Sequence, residues 1–437
     1  MTEGASTDTA HGTHRQVLVV TYYFPPMGLS GVQRVTTFVK YLKEYGWRPT
    51  VLTIDPAGYF AYDATLLAEV QAAGVPIHRT DSWDPTRLFR RQQSVAMPSE
   101  SLRSRFSAIS QLLFVPDNKI GWMPHALRTG HRLLRSGSFD AIFSSAPPYT
   151  AHLVAARLSR THHLPLVVDF RDDWVGNPRH IYATPLHRYW NERLERKVLR
   201  SSRRAVTIND AIGDALLRVG EAPVTIIPHG YDPENLTVAP AERKSGKMMF
   251  VYTGIFYDAQ TPDYFLQALA RVIDRHPEAR DLVEAVFVGL LPKSSLQHIA
   301  ALNLEDVVTY TGYESHTRAV AFQRAADVLW MTIGTRPGAE GISTSKLFEY
   351  MGSRKPILAL VPPGTARRAL EPYRAAMIAD PEDVSAIATA ISALFSQWQS
   401  GALDTPDEAY VQQHDRRHLT GMLAACLDES LQGSDIA

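Results

Sequence analysis

Short, unbroken runs of Val, Ile and Leu recur along the chain, each followed by a turn and then by a segment of helical period. This alternation constrains the fold more than any other feature. A strand made only of apolar residues must be covered on both faces, and strands joined through helices run parallel. VLVVTYYF at 17–24 reads as the first strand, PPMGLSG as the loop after it, and Val32, Val35, Phe38, Val39 and Leu42 then fall at helical spacing. TVLTI at 50–54, AIFSS at 141–145, LVVDF at 166–170, AVTIN at 205–209 and TIIPH at 225–229 continue the rhythm.

The polar stretch DPENLTVAPAERKSGKM at 232–248 breaks the rhythm. It restarts with MFVYTG, AVFVG, VVTYTG, VLWMTI, PILALV and AAMIAD. Two such runs around one linker predict an α/β protein of two facing Rossmann-like, doubly wound domains, over 15–231 and 249–408. A length of 437 residues agrees with that division. Residues 1–14 read as a disordered tail, and 409–437 as a C-terminal helix and tail. The sequence leaves open whether that helix, about 416–431, crosses back onto the first domain.

Charge and composition exclude several classes. Lys and Arg number 45 and Asp and Glu 45, so no global field favours nucleic acid, and attraction to an anionic surface would need a local patch. The single cysteine, Cys426, permits no intrachain disulfide or Cys-rich zinc site and fits a reducing, cytoplasmic setting. No apolar run approaches the ~18 residues of a membrane span, and the polar N-terminus lacks a signal-peptide core. The histidines show no HExxH spacing and no Gly-x-Ser-x-Gly elbow occurs, so neither a metal nor a cofactor is expected.

Two segments carry candidate chemistry. The loop Pro25–Gly31, with Gly28, Ser30 and Gly31, joins the first strand to the first helix. There, helix amides face anions and glycines let backbone approach a ligand, although a plain tight turn explains it equally well. The second segment runs from Gly338 through Glu340, Gly341, Ile342, Ser343, Thr344 and Lys346 to Glu349 and Tyr350. Small residues offer amides, Lys346 a cation, and Glu349 an acceptor for two hydroxyls, a set suited to a diphosphate leaving group and its ribose. The plain alternative is a helix capped by Ser343 or Thr344, with Lys346 and Glu349 a solvated i,i+3 pair.

TSKLFEYMGSRKPILAL resembles the donor-site segment of the retaining glycosyltransferases of the GT-B fold, family 4 (glycosyl transferases group 1). GVQRVTTFVKYLKEYGWRPTVLT, LVVDFRDDW, IIPHGYD, FVYTG and VVTYTGY extend the resemblance over about 15–430. It implies a metal-independent hexosyltransferase-like enzyme, with a nucleotide-sugar donor (a UDP-sugar by guess) on the second domain. The acceptor, a glycan, a lipid-linked molecule or a small molecule, would lie on the first. By the same resemblance Glu349 would bind the ribose and Lys346 would lie near the diphosphate. Gly341, Ile342, Ser343 and Thr344 would meet the sugar or phosphate, Gly312 and Tyr313 would flank the base, and Gly254, Gly28, Ser30 and Gly31 would face the donor.

The chain departs from that pattern in three places. Members place two glutamates one residue closer together than Glu340 and Glu349 stand here, which puts a sugar contact by Glu340 in question. Members clamp the diphosphate with an Arg and a Lys after the first strand of the second domain, where this chain has Thr253-Gly254-Ile255-Phe256-Tyr257-Asp258-Ala259-Gln260. Where members have a His after the fourth strand, this chain has Arg171-Asp172-Asp173-Trp174, as in a subgroup linked to surface-polysaccharide assembly. Arg171 would hold a hydroxyl or phosphate and Asp172 or Asp173 orient the acceptor, or all three would brace the cleft floor. A GT-B nucleotide-sugar epimerase or hydrolase, and a non-catalytic nucleotide-sugar-binding protein, are the competing readings.

The stretch 87–135 is locally basic, with Arg87, Arg90, Arg91, Arg103, Arg105, Arg128, Arg132 and Arg135. Leu88, Phe89, Phe106, Leu112, Leu113, Phe114, Trp122 and Met123 are interleaved. It suits peripheral contact with an anionic inner-membrane face, or packing against the first domain.

Overall fold

The computed structural model describes residues 14–28, 30–56, 62–84, 114–177, 180, 182, 184–243, 246–256 and 260–432. The first sheet takes strands β1 (Arg15–Thr21), β2 (Trp47–Ile54), β3 (Ile77–Thr80), β4 (Ala141–Ala146), β5 (Leu166–Phe170), β6 (Arg204–Thr207) and β7 (Val224–Ile226). Their order is β3-β2-β1-β4-β5-β6-β7, and every pairing is parallel. The second takes β8 (Met248–Thr253), β9 (Val283–Val288), β10 (Val308–Gly312), β11 (Val328–Thr332), β12 (Ile357–Leu360) and β13 (Ala376–Ala379). Its order is β10-β9-β8-β11-β12-β13, again wholly parallel. This is the expected pair of doubly wound α/β domains.

The continuous apolar runs exist because both faces are covered. Along β1, Leu18 and Val20 enter one core and Val17 and Val19 another on the opposite face. Along β8, Met248, Phe250 and Tyr252 divide in the same way from Met249 and Val251. Side chains alternate along a strand, so each face needs its own layer. In the first domain, helices α1 (Ser30–Tyr41) and α2 (Ala64–Ala72) cover one face. Helices α3 (Met123–Ser136), α4 (Thr150–His162), α5 (Pro185–Ser201) and α6 (Asp210–Val219) cover the other.

The second domain carries α7 (Asp263–Arg275), α8 (Ala279–Leu282), α9 (Lys293–Ala301), α10 (His316–Ala325), α11 (Ser345–Gly352), α12 (Thr365–Leu370) and α13 (Val384–Gln399). After α14 (Glu408–Gln412), the last helix α15 (Arg416–Gln432) crosses back to the first domain. Leu419, Leu423, Cys426 and Leu427 are buried there among Val17, Val19, Phe38 and Trp47. Trp47 Nε1 donates to Asp428 (2.9 Å), and Arg15 pairs with the same carboxylate.

The two crossings between domains run side by side. Tyr231 N donates to the His414 carbonyl and Arg416 N to the Tyr231 carbonyl, both at 3.0 Å. Gly230 is required by this approach, because a Cβ there would collide with the His414 carbonyl oxygen. The linker is tied at both ends: Tyr41 donates to Asp232 (2.6 Å), and Arg243 pairs with Asp327 (2.6 Å).

The segment 87–135 divides. Arg87, Leu88, Phe89, Arg90, Arg91, Arg103, Arg105, Phe106, Leu112 and Leu113 lie outside the described residues. Trp122 is not a surface residue: it is fully buried and donates from Nε1 to Thr80 (2.7 Å), and Met123 packs on the same core. The apolar character of these two residues serves the fold.

Because α15 supplies part of the first domain's core, Leu427→Ala should destabilise the protein by ~2–5 kcal/mol, the range for a buried leucine leaving a cavity. Denaturant unfolding checks this, with His418→Ala on the exposed side of the same helix as the neutral reference.

Candidate active site

In open parallel sheets, ligands bind beyond the carboxyl ends of the strands, where the strand order reverses. Here those points are β1/β4 and β8/β11, and the two domains turn them toward one another. A cleft of about 620 Å³ lies between them, lined by residues of both.

From the first domain, Gly31 lines the cleft. Arg171 packs directly on it, and a Cβ on Gly31 would come within 2.6 Å of Arg171 Nη1. Arg171 is buried and donates to three carbonyls: Ala146 through Nε (3.1 Å), Pro147 through Nη2 (2.8 Å) and Gly31 through Nη1. This arrangement braces the glycine loop while leaving one edge of the guanidinium on the cleft wall. Gly28 is buried and does not line the cleft, Ser30 only begins α1, and Leu29 lies outside the described residues.

Asp172 and Asp173 line the cleft beside Gly176 and Asn177. Trp174 anchors them: it is fully buried, stacks on Tyr149 at 4.5 Å, and donates to Asn191 (2.9 Å). The Tyr149 hydroxyl donates to the carbonyls of Asp172 (3.3 Å) and Asp173 (2.9 Å). Behind this wall Arg34 holds Asp169 through Nη2 (2.9 Å) and Nε (3.2 Å), and Ser145 donates to the same carboxylate (2.7 Å). His229 lines the cleft and is kept neutral by burial and then by Arg34, Arg416 and Arg171.

The second domain contributes the segment from Gly338 to Glu349. Gly338 takes a left-handed φ of 85°, and a 3-10 turn, Ala339–Gly341, follows. Glu340, Gly341, Ile342, Ser343 and Thr344 all line the cleft. The Gly341 carbonyl accepts from Asn209 of the first domain (3.1 Å). Thr344 occupies the N-cap position of α11 but makes no cap bond, and its buried Oγ1 has no hydrogen-bond partner among the described residues. The first turn of α11 therefore keeps its amides and one hydroxyl available to the cleft, an arrangement suited to an anion.

Lys346 and Glu349 do not form a solvated pair. Lys346 Nζ lies 3.6 Å from the centre of the Tyr252 ring and next to Gly254, whose φ of 119° and missing side chain make room for it. Burial pulls the Lys346 ammonium down to about 7, with Glu349 opposing the shift. Glu349 instead faces Arg416 of α15 (3.6 Å), both largely buried. Arg416 also donates to Gln33 of α1 (3.2 Å), and Gln33 bonds His316 of α10 (3.0 Å). At the other end of the cleft, Tyr313 is on the lining and half exposed, whereas Gly312, at a φ of 79°, is not on it.

Three contributors were absent from the sequence expectations. Arg336 lines the cleft just before Gly338; its place in TRPGAEG was the available signal. His316 and Arg416 reach the site through tertiary contacts that no local pattern marks. Tyr257, Asp258 and Ala259 lie outside the described residues. Among the described residues, no group of three His, Cys, Asp or Glu side chains is placed to hold a metal ion, and no helix is long and apolar enough to cross a membrane.

Two glycosyltransferase family models match the chain: "Glycosyl transferase 4-like domain" over residues 31–230 and "Glycosyl transferases group 1" over 247–397. The chain is a glycosyltransferase of the GT-B fold. Among solved structures, Anabaena HepE in complex with UDP-glucose is 17% identical with a TM-score of 0.63, covering 95% of this chain and 100% of that one. A Rickettsia africae glycosyltransferase is 13% identical with a TM-score of 0.63, covering 96% and 99%. Sucrose-phosphate synthase from Thermosynechococcus elongatus is 13% identical with a TM-score of 0.61, covering 95% and 100%. No curated protein matches the sequence.

A lysine whose pKa lies near 7 gains a proton when an anion binds beside it. The affinity of this glycosyltransferase for a diphosphate diester should therefore fall as pH rises from about 7 through the higher pKa of the bound state, by up to ~tenfold per unit. Calorimetry in two buffers of different ionisation enthalpy should show proton uptake at pH 7.5, and Lys346→Arg should abolish it.

Proposed function

We propose that this enzyme is a retaining glycosyltransferase of family 4 that moves a hexose from a UDP-sugar to a glycan or lipid-linked acceptor in surface-polysaccharide assembly, working in the cytoplasm without a metal. The observation that carries the reading is the start of α11. Its cap hydroxyl has no hydrogen-bond partner among the described residues, Lys346 and Glu349 follow at i+2 and i+5, and Gly31, Asp172 and Asp173 line the same cleft. HepE, solved with UDP and with UDP-glucose on the same fold, supports the choice of donor.

In this reading Glu349 accepts hydrogen bonds from the ribose hydroxyls, its carboxylate already oriented by Arg416. The diphosphate lies against the first-turn amides of α11, with Lys346 beside it and Arg336 on the same lining. Tyr313 flanks the base. Asp172 and Asp173 receive the acceptor, and Arg171 holds the loop that faces the donor. The bond from the anomeric carbon to the phosphate oxygen breaks as the acceptor oxygen bonds to that carbon on the same face. The leaving phosphate takes the acceptor's proton, so no side-chain nucleophile is required. Lys346 and the amides stabilise the charge that grows on the diphosphate, an interaction stronger in the transition state than before it.

Glu349→Ala should weaken UDP-sugar binding at least ~tenfold, the scale of hydrogen bonds to a charged group, ~1.5–3 kcal/mol. Calorimetry on the folded variant tests this, and unchanged affinity would remove Glu349 from the donor site. Transfer should persist in EDTA; loss on chelation with recovery on adding magnesium or manganese would contradict the metal-independent reading.

A further inference from the structure

Helices α3, α4 and α5 lie side by side over one face of the first sheet. Neither α3 nor α4 contains an acidic residue. Arg128, Arg132 and Arg135 of α3, with Arg157 and Arg160 of α4, are all exposed. On α5, four further bases from Arg193 to Arg200 are exposed, whereas Glu195 is buried and Glu192 is engaged by Arg188 (3.0 Å). The whole chain has a formal net charge of zero, so this layer is a positive face in an otherwise balanced molecule. The field is felt locally: His131 of α3, bonded to His162 of α4 (2.8 Å), is held below its ordinary pKa by burial and then by His162, Arg135 and Arg157.

The N-terminal part of α5 adds a different feature. Leu186, Tyr189 and Trp190 stand at i, i+3 and i+4 and are 60%, 52% and 47% exposed. Three large apolar side chains on one side of a helix gain nothing from water there. In sequence, the helix follows the segment that carries Asp172, Asp173, Gly176 and Asn177 into the cleft, and the apolar cluster belongs to the same domain as that wall.

We propose that this face docks on an anionic lipid bilayer, with Leu186, Tyr189 and Trp190 set into the headgroup boundary and the bases of α3, α4 and α5 lying over acidic headgroups. Indole and phenol rings settle at that boundary, and a leucine between them gains from hydrocarbon, not from a phosphodiester backbone. The basic residues supply long-range attraction that depends on lipid charge. The surface is the exposed side of α5 and its neighbours; Trp122 is buried and Met123 packs on the core. Docking this way brings the domain proposed to hold the acceptor to the membrane, which rests on the proposed transfer to a lipid-linked acceptor.

The test is sedimentation of the full-length protein with vesicles of phosphatidylcholine alone or mixed with phosphatidylglycerol, beside calorimetry of UDP-glucose binding in solution. Binding should require phosphatidylglycerol and fall at least ~tenfold on going from low to high salt, because screening shortens the reach of the charges. L186S/Y189S/W190S should lose at least ~tenfold in vesicle affinity while binding UDP-glucose as the wild type does, which shows that it is folded. R193E/R196E should lose the dependence on phosphatidylglycerol. No wild-type binding, undiminished binding by the triple variant, or single-stranded RNA displacing the vesicles from wild type and binding the triple variant equally well would overturn the docking surface. Vesicle binding as expected with no UDP-glucose binding by wild type would uphold the surface and remove the donor reading instead.

Discussion

Arg416 joins three parts of the chain that are remote in sequence. It stands at the start of α15, contacts Glu349 on α11 at 3.6 Å, and donates to Gln33 on α1 at 3.2 Å. Its own backbone amide is fixed by the Tyr231 carbonyl, at the place where both crossings between domains pass. A largely buried charge needs its partners, since removing one leaves the other desolvated and unpaired. One side chain thus ties the carboxylate proposed to bind ribose to both domains, beside the backbone bonds of the two crossings. The leucines of α15, buried in the first domain's core, hold that side chain in place.

The cleft that results divides the labour between domains. The first domain supplies a stiff wall: Arg34 and Asp169 behind it, Arg171 across the glycine loop, and Trp174 stacked on the Tyr149 that bonds the carbonyls of the two aspartates. Its donors and acceptors are largely taken up internally, which suits positioning. The second domain supplies groups that are less satisfied. The Thr344 hydroxyl has no hydrogen-bond partner among the described residues, and Lys346 rests on a tyrosine ring at the cost of a lowered pKa. An anion in the cleft would relieve both, and this asymmetry is what assigns the donor to the second domain in the proposed mechanism.

Much of this was legible in the sequence because it is written locally. Runs such as VLVVT and VLWMT could only be strands covered on both faces, and the order of strand and helix then dictated parallel sheets. The short strand Ile77–Thr80 was not singled out, since IHRT has one apolar residue and sits at the sheet edge. The segment from Gly338 to Glu349 stood out by its residues, but its neighbours Arg336, His316 and Arg416 arrive through tertiary contacts. Exposure was equally hidden. Leu186, Tyr189 and Trp190 have the spacing of a helix's buried side yet face outward, while Trp122, which its basic surroundings left open between a membrane face and packing on the first domain, is in the core. Periodicity says which residues share a face; only packing says whether that face is covered.

The start of α11 is proposed to hold a nucleoside diphosphate. A crystal structure of the protein with UDP tests it most directly. Ribose hydroxyls should lie within hydrogen-bond distance of the Glu349 carboxylate, and diphosphate oxygens against the Lys346 ammonium and the first-turn amides of α11. UDP bound elsewhere, or bound in the cleft with its ribose away from Glu349, would contradict it.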